Sequence, residues 1–314
     1  MNILLTGGAG FIGSHLAESL CFHNNVLIVD NLSTGKRDNI FELEKKGSLK
    51  FVKADCINFN EIFPLCKNID TLFHFAANPE VKITSDEDTE LSFSQNVLAT
   101  KVMLEAARKS GVKKFVFAST STIYGEPHVI PTPEEYGPLK PISIYGATKL
   151  ASEALVMAYC SSFKMSGIIL RFANIIGHRS SHGVIFDFYN KLQKNHEKIE
   201  ILGDGTQKKS YLHIDDCISA IHIATKVNGI DCFNIGSEDQ VDVISIAKII
   251  GKEMKVNPKL EVTGGVDGGR GWIGDVKKML LGTSKIKKLG FKAKFTSGEA
   301  VKQTISEILE KKIN

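Results

Sequence analysis

The sequence predicts an α/β chain: a doubly wound parallel sheet in its first half and a smaller, interleaved C-terminal lobe built mainly from its second. Three observations carry this. Short apolar runs alternate with helical patterns from residue 2 to residue 118, an order that implies parallel strands with helices on both faces. Glycines 7, 10 and 13 lie between the first run and the first helical pattern, where they permit a tight turn and a close approach of backbone to phosphate. Asp30 closes the second run, the place from which a carboxylate accepts hydrogen bonds from a ribose.

Taken in order, residues 2–5 read as the first buried strand, and a helical pattern over residues 14–22 follows the turn Thr6-Gly7-Gly-Ala-Gly10-Phe11-Ile12-Gly13. Free amides at that helix start face an anion. Residues 26–29 are the second strand, ending at Asp30 and Asn31. A glycine turn alone marks only a turn; a strand before it, a helix after it and an acid at the next strand end make it a Rossmann-type dinucleotide site. The acid implies NAD rather than NADP, although Lys36 and Arg37 follow closely. Residues 49–53 form the third strand, 62–66 a short helix and 71–75 the fourth strand. A long helical region then runs to about residue 110, and 114–118 form the fifth strand. Asp55, after the third strand, is placed to reach the adenine amino group. His74-Phe-Ala76-Ala77 ends the fourth strand at the edge where ligands bind in such sheets, and His74 itself reads as a packed core histidine. The boundaries expected are an NAD-binding domain over 1–172, with returning elements near 212–235, and a mainly substrate-binding lobe over 173–314.

Composition excludes several classes. The chain has 314 residues, 43% of them apolar, enough to bury a large core. Its net charge of +4 comes from 39 basic against 35 acidic residues spread along the chain, so no basic block suggests nucleic acid. The six cysteines are scattered without a CxxC pair and read as reduced core residues, which points to the cytoplasm. The chain opens on an apolar strand rather than a signal sequence, and no apolar run is long enough to span a bilayer. Arginine is scarce, with Arg37, Arg108, Arg171, Arg179 and Arg270 the only five. Each arginine in a loop is therefore a candidate for forked phosphate binding.

The chemistry is expected at Tyr145-Gly-Ala-Thr-Lys149, preceded by Ser119-Thr120-Ser-Thr-Ile-Tyr124-Gly125. A tyrosine and a lysine four apart on a helix rise about 6 Å and share one face. The ammonium can then favour the phenolate and bring a group that titrates near 10 toward neutral pH, making a general base. Residues 126–141 carry prolines at 127, 131, 133, 138 and 141 and read as a semi-rigid flap. His178 and His182 stand four apart, but with no nearby cysteine or acid they are not read as a metal site.

Together these motifs resemble the extended short-chain dehydrogenase/reductase family, of the NAD-dependent epimerase/dehydratase type and most similar to its UDP-glucose 4-epimerases. Gly7-Gly-Ala-Gly-Phe-Ile-Gly13, Asp30-Asn-Leu-Ser-Thr-Gly35, Asn96-Val, the Ser119–Gly125 run and Tyr145-xxx-Lys149 carry the likeness. The resemblance implies a catalytic set of Thr120, Tyr145 and Lys149, with Thr120 binding the reacting sugar oxygen. It implies that Gly7, Gly10, Phe11, Ile12, Gly13, Asp30, Asn31, Asp55, Ala76, Ala77 and Asn96 bind the cofactor, together with Tyr145 and Lys149. Asn174, in Asn174-Ile-Ile-Gly177, matches the residue that contacts the substrate diphosphate. Ile201-Leu-Gly-Asp-Gly-Thr-Gln207 resembles the nucleotide-binding strand and turn, which in the family continues with Arg-Asp; here Lys209 and Ser210 stand instead. Arg270, in Arg270-Gly-Trp-Ile-Gly274-Asp275, resembles an Arg-x-Gly-Asp turn with one extra residue, and the resemblance implies that Lys209 and Arg270, with Asn174, anchor the substrate diphosphate.

The dehydratases of the family carry Asp-Glu after the threonine, and this chain has Ser121-Thr122. Without that pair, elimination of water lacks its acid and base, which favours epimerisation. The expectation is a UDP-glucose/UDP-galactose 4-epimerase acting through a 4-keto sugar. The alternatives are the N-acetylated pair, another nucleotide-sugar oxidoreductase, and a non-catalytic NAD-binding protein. Trp272 and Met279 lie near the region that sizes the sugar pocket in the family, and homodimers are common in it.

Overall fold

The computed structural model describes residues 1–82 and 85–313, with side chains as far as Glu310. The first half alternates as expected: β1 (Asn2–Thr6), α1 (Phe11–Leu20), β2 (Asn25–Asp30), α2 (Phe41–Lys45), β3 (Leu49–Lys53), α3 (Phe59–Leu65) and β4 (Thr71–His74). α4 (Asp86–Ser92), α5 (Ala99–Ser110), β5 (Lys114–Thr120), α6 (Ile144–Ser162) and β6 (Ser166–Phe172) follow. The second half holds β7 (Asn174–Ile176), α7 (Val184–Lys194), β8 (Lys198–Ile201), β9 (Lys208–Lys209), β10 (Tyr211–His213), α8 (Ile214–Ala224) and β11 (Ile230–Ile235). It closes with β12 (Val241–Asp242), α9 (Val243–Glu253), β13 (Lys259–Val262), β14 (Lys278–Met279), α10 (Ser284–Lys288) and α11 (Ser297–Ile313).

Seven strands make the central sheet in the order β11-β6-β5-β4-β1-β2-β3. From β5 to β3 the pairing is parallel, with Leu4 opposite both Leu72 and Leu27. The order reverses direction at β1, which places the ends of β1 and β4 at a switch point where such sheets bind ligands. Strands buried on both faces read as continuous apolar runs rather than alternating ones, and Ile3, Leu4, Leu5, Ile28 and Val29 are accordingly all sealed from solvent.

Two local differences from the sequence reading have physical causes. The third helix starts earlier than residue 62, because Asn58 and Glu61 bond to each other across its first turn. The long helical region is interrupted by a π-helical stretch, Phe93–Leu98, between α4 and α5. The wider turn leaves the Asn96 side chain, 1% exposed, bonded outside the helix, and π-bulges of this kind are frequent at functional sites.

The chain divides into two compact units. The first comprises residues 1–120, 144–171 and 221–233; its core joins Leu4, Val29, Leu72, Met103, Phe115, Phe117, Val156 and Ile169. The second comprises 121–143, 172–220 and 234–314; its core joins Ile185, Phe188, Tyr189, Ile201, Ile246, Ile250, Val301 and Ile305. Residues 121–143, expected with the first 172 residues, group with the second unit. Gly125 there has φ +64°, and a Cβ at that position would fall on the Lys140 carbonyl. The Asn234 side chain donates to the carbonyls of Thr132 and Gly282, and Tyr124 donates to Asn234. The proline-rich stretch is thus tied down by backbone contacts, which no local pattern announces.

Candidate active site

The glycine turn is built by backbone crowding. Gly7 has φ +69°, and a Cβ on it would lie 2.6 Å from the Ala76 nitrogen. A Cβ on Gly13 would fall on the Gly7 carbonyl oxygen, so α1 can pack this close to β1 only with glycine there. Gly10 is the N-cap residue of α1 and offers no side-chain cap, leaving the first amides of a ten-residue helix to an anion. At the end of β2, Asp30 accepts from the amide nitrogens of Ala9 (3.0 Å) and Leu32 (2.8 Å). Burial raises its pKa, and those two amides oppose the rise. Each oxygen keeps acceptor capacity for a hydroxyl. A cradle that a Cβ would fill, an uncapped helix start and a fixed carboxylate together fit a dinucleotide. Asn31 donates to Asp55 (3.0 Å), and the Ile57 amide donates to the same carboxylate (3.1 Å), so Asn31 fixes Asp55 in the neighbouring loop.

At the switch point a hydrogen-bond chain runs through His74. The Thr100 hydroxyl donates its proton to the Asn96 carbonyl at 2.6 Å. His74 Nε2, 3.2 Å away, must therefore be the donor to that hydroxyl, and Nδ1 the acceptor from Thr6 at 2.8 Å. The Ala76 amide donates to the Thr6 hydroxyl in turn. His74 is fully buried, and burial with Lys149 nearby lowers its pKa to about 3. It is neutral and structural, as its sequence context suggests. Asn96 accepts from the Asn78 amide (2.8 Å) and donates to the Asn78 carbonyl (3.2 Å) and to Thr148 (3.0 Å). Its amide thus holds the loop that follows Ala76 and Ala77, and ties that loop to α6.

Thr120 ends β5, and Tyr145 and Lys149 lie in the first turns of α6. The structure brings Thr120 into hydrogen-bond contact with the Tyr145 phenol. Lys149, 3% exposed, stands with its Nζ 4.2 Å from the centre of the Phe117 ring. The expected tuning is not what the protein alone displays. Burial pushes the Tyr145 phenol up to about 12, with the Thr120 hydrogen bond opposing it. Burial also pulls Lys149 down to about 7, with Glu153 opposing. A lysine titrating near neutrality offers only part of a positive charge to its neighbour, so desolvation wins at both groups.

Behind this pair lies a cluster that the sequence reading missed. Glu153 is fully buried and takes a two-pronged contact from Arg171, with Nη2 to Oε2 at 2.8 Å and Nε to Oε1 at 3.1 Å. Ser119 donates to the same Oε1 at 2.5 Å. The available signals were the scarcity of arginine and the acid four residues beyond Lys149.

In the second unit the Asn174 side chain donates to the Ser210 carbonyl at 3.0 Å. Lys209 is ion-paired with buried Asp275 at 2.7 Å and faces the Trp272 ring. Arg270 makes a forked contact with Glu126 (2.5 and 2.7 Å), with further bonds to Asp267 and the Asp275 carbonyl. Its guanidinium pKa is raised by Glu126 foremost. The two cations expected to bind phosphate therefore face carboxylates in the protein alone. His178 Nδ1 lies 3.2 Å from Glu307. No helix among the described residues is long and apolar enough to cross a membrane.

Known proteins match this arrangement over nearly the whole chain. A putative UDP-glucose 4-epimerase of Methanocaldococcus jannaschii is 33% identical over 325 residues, covering 97% of each chain. A solved UDP-galactose 4-epimerase superposes with a TM-score of 0.87 at 39% identity over 99% of each chain. A dTDP-D-glucose 4,6-dehydratase of Mus musculus is 30% identical, covering 97% of this chain and 87% of its own. The model of the NAD dependent epimerase/dehydratase family matches residues 3–236. With its glycine cradle, its acid at the end of β2 and its Tyr145–Lys149 helix, the chain belongs to the NAD-dependent epimerase/dehydratase family, with NAD as cofactor.

Proposed function

We propose that this chain is a nucleotide-sugar 4-epimerase interconverting UDP-glucose and UDP-galactose. The observation that carries the reading is the pairing of a Thr120–Tyr145 hydrogen bond with Ser121-Thr122 where dehydratases of the family carry two acids. Tyr145 removes the proton from the sugar 4-hydroxyl, and Thr120 hydrogen-bonds the same oxygen. Bound NAD+ supplies the hydride acceptor and a positive charge. Lys149 holds the ribose and, in its protonated form, adds a second positive charge; the two charges then offset the burial that otherwise keeps the phenol near 12. Tyr145 returns that proton to the same oxygen once the 4-keto sugar presents its other face, and the proton balance closes on the inverted sugar.

Gly7, Gly10, Phe11, Ile12 and Gly13 are the proposed pyrophosphate contacts, Asp30 the ribose contact and Asp55 the adenine contact. Ala76 and Ala77 line the nicotinamide end. Asn31 and Asn96 act by fixing Asp55 and the loop after β4. Asn174, Lys209 and Arg270 are the proposed diphosphate ligands. A diphosphate carries the charge to displace Glu126 from the fork of Arg270, since Glu126 is 44% exposed and can return to water.

The test is incubation of purified protein with UDP-galactose and, separately, with UDP-N-acetylgalactosamine, without added cofactor. Conversion of the first to UDP-glucose supports the proposal, and conversion of the second alone moves it to the N-acetylated pair. Stoichiometric consumption of added NAD would make the protein an oxidoreductase. Failure to epimerise either sugar by protein that retains NAD would overturn the proposal.

A further inference from the structure

The geometry points to Glu153 as a positioning residue that joins the strand carrying Thr120 to the helix carrying Tyr145 and Lys149. This rests on the reading that those three residues perform the chemistry.

Glu153 sits four residues beyond Lys149 on α6, on the same buried face as Thr148, Lys149, Ser152 and Val156. Its Oε1 accepts from Ser119, the residue immediately before Thr120 on β5. Both its oxygens accept from Arg171 on β6. One carboxylate therefore joins three elements of the first unit within one residue of the proposed substrate-oxygen ligand and one helical turn of the proposed cation. A buried acid needs such partners, because an isolated charge in this setting is strongly disfavoured. Arg171 alone would satisfy it. The bond from Ser119 adds nothing to charge balance, but it fixes the end of β5 against α6.

A second effect is electrostatic. Among the described residues, Glu153 on its own helix and neutral His74 from β4 are electrostatically coupled to Lys149, and Arg171 from β6 acts on it through Glu153. Glu153 is the group that opposes its loss of charge. Neutralised by Arg171 in part, Glu153 supports the ammonium without capturing it, so Lys149 keeps its place against Phe117.

Three variants separate these effects. Ser119→Ala leaves the ion pair intact and cuts the tie to β5. It should lower kcat on the order of tenfold, as misplaced catalytic groups do, with KM for the UDP-sugar and the Lys149 titration unchanged. Glu153→Gln removes the charge: the Lys149 midpoint, followed by NMR of lysine labelled with 13C at Cε, should fall below its parent value of about 7. Because the ammonium is lost as pH rises through its pKa, the alkaline limb of kcat should move the same way. Glu153→Asp keeps the charge without the reach to Ser119, and should keep the titration while losing rate. Should Glu153→Gln not fold, the other two decide. An unshifted Lys149 midpoint in a folded Glu153→Gln protein, or kcat within twofold of the parent in Ser119→Ala, would overturn the inference. The parent's own activity on UDP-sugars tests the underlying reading separately, and the NMR titration needs no turnover.

Discussion

Acid should destabilise this protein through His74, and the structure sets both the size and the window of the effect. The imidazole is fully buried with its two nitrogens committed to Thr6 and Thr100. Protonating it would put a second donor where Thr6 already donates, and a charge where Lys149 is near. Its pKa therefore drops to about 3 in the folded chain, against 6.5 in the unfolded one. A depressed folded pKa means that the unfolded chain binds the proton first. The stability is complete above about 6.5 and is lost as pH falls toward 3, at about 1.4 kcal/mol per pH step. The loss is about 2 kcal/mol at pH 5. His74→Gln keeps a donor toward Thr100 and gives up the acceptor toward Thr6, a roughly constant cost of about 1–3 kcal/mol. Urea unfolding of parent and variant from pH 7.5 to 4.5 isolates the effect, because all other titrating groups are shared. The gap between the two should narrow by about 2 kcal/mol between pH 7 and pH 5. A gap that stays constant would mean that His74 is solvated or charged in the folded protein, and the hydrogen-bond chain drawn through it would be wrong.

Other perturbations probe the site directly. Tyr145→Phe should leave NAD bound and abolish turnover, read by enzymatic assay of the NAD released on denaturation and by conversion of UDP-galactose; near-normal rates would remove Tyr145 from the mechanism. Gly13→Ala should yield protein without bound NAD and with a lowered Tm, since its Cβ collides with the Gly7 carbonyl in a backbone that cannot yield; full NAD occupancy would refute the crowding argument. Arg171→Met strands a buried carboxylate and should cost about 3–5 kcal/mol in a denaturant titration, much of it restored by Arg171→Met with Glu153→Leu. Arg270→Lys should raise KM for the UDP-sugar with little change in kcat, because the fork is lost and the charge kept.

The sequence by itself determined the central sheet, because strands buried on both faces and glycines in a tight turn are selected by local constraints that survive in one dimension. β1, β2, β3 and β5 lie where the apolar runs put them, and Tyr145 and Lys149 fall on one helix, as their spacing requires. Tertiary structure decided what depends on residues distant in the chain. The bonds joining Ser119 and Arg171 to Glu153 span up to 34 positions, and neither pattern nor spacing encodes them. The grouping of residues 121–143 with the second unit rests on contacts to Asn234 and Gly282. The protonation of the Tyr145–Lys149 pair was likewise out of reach of sequence, since desolvation depends on how deeply the rest of the chain covers a group.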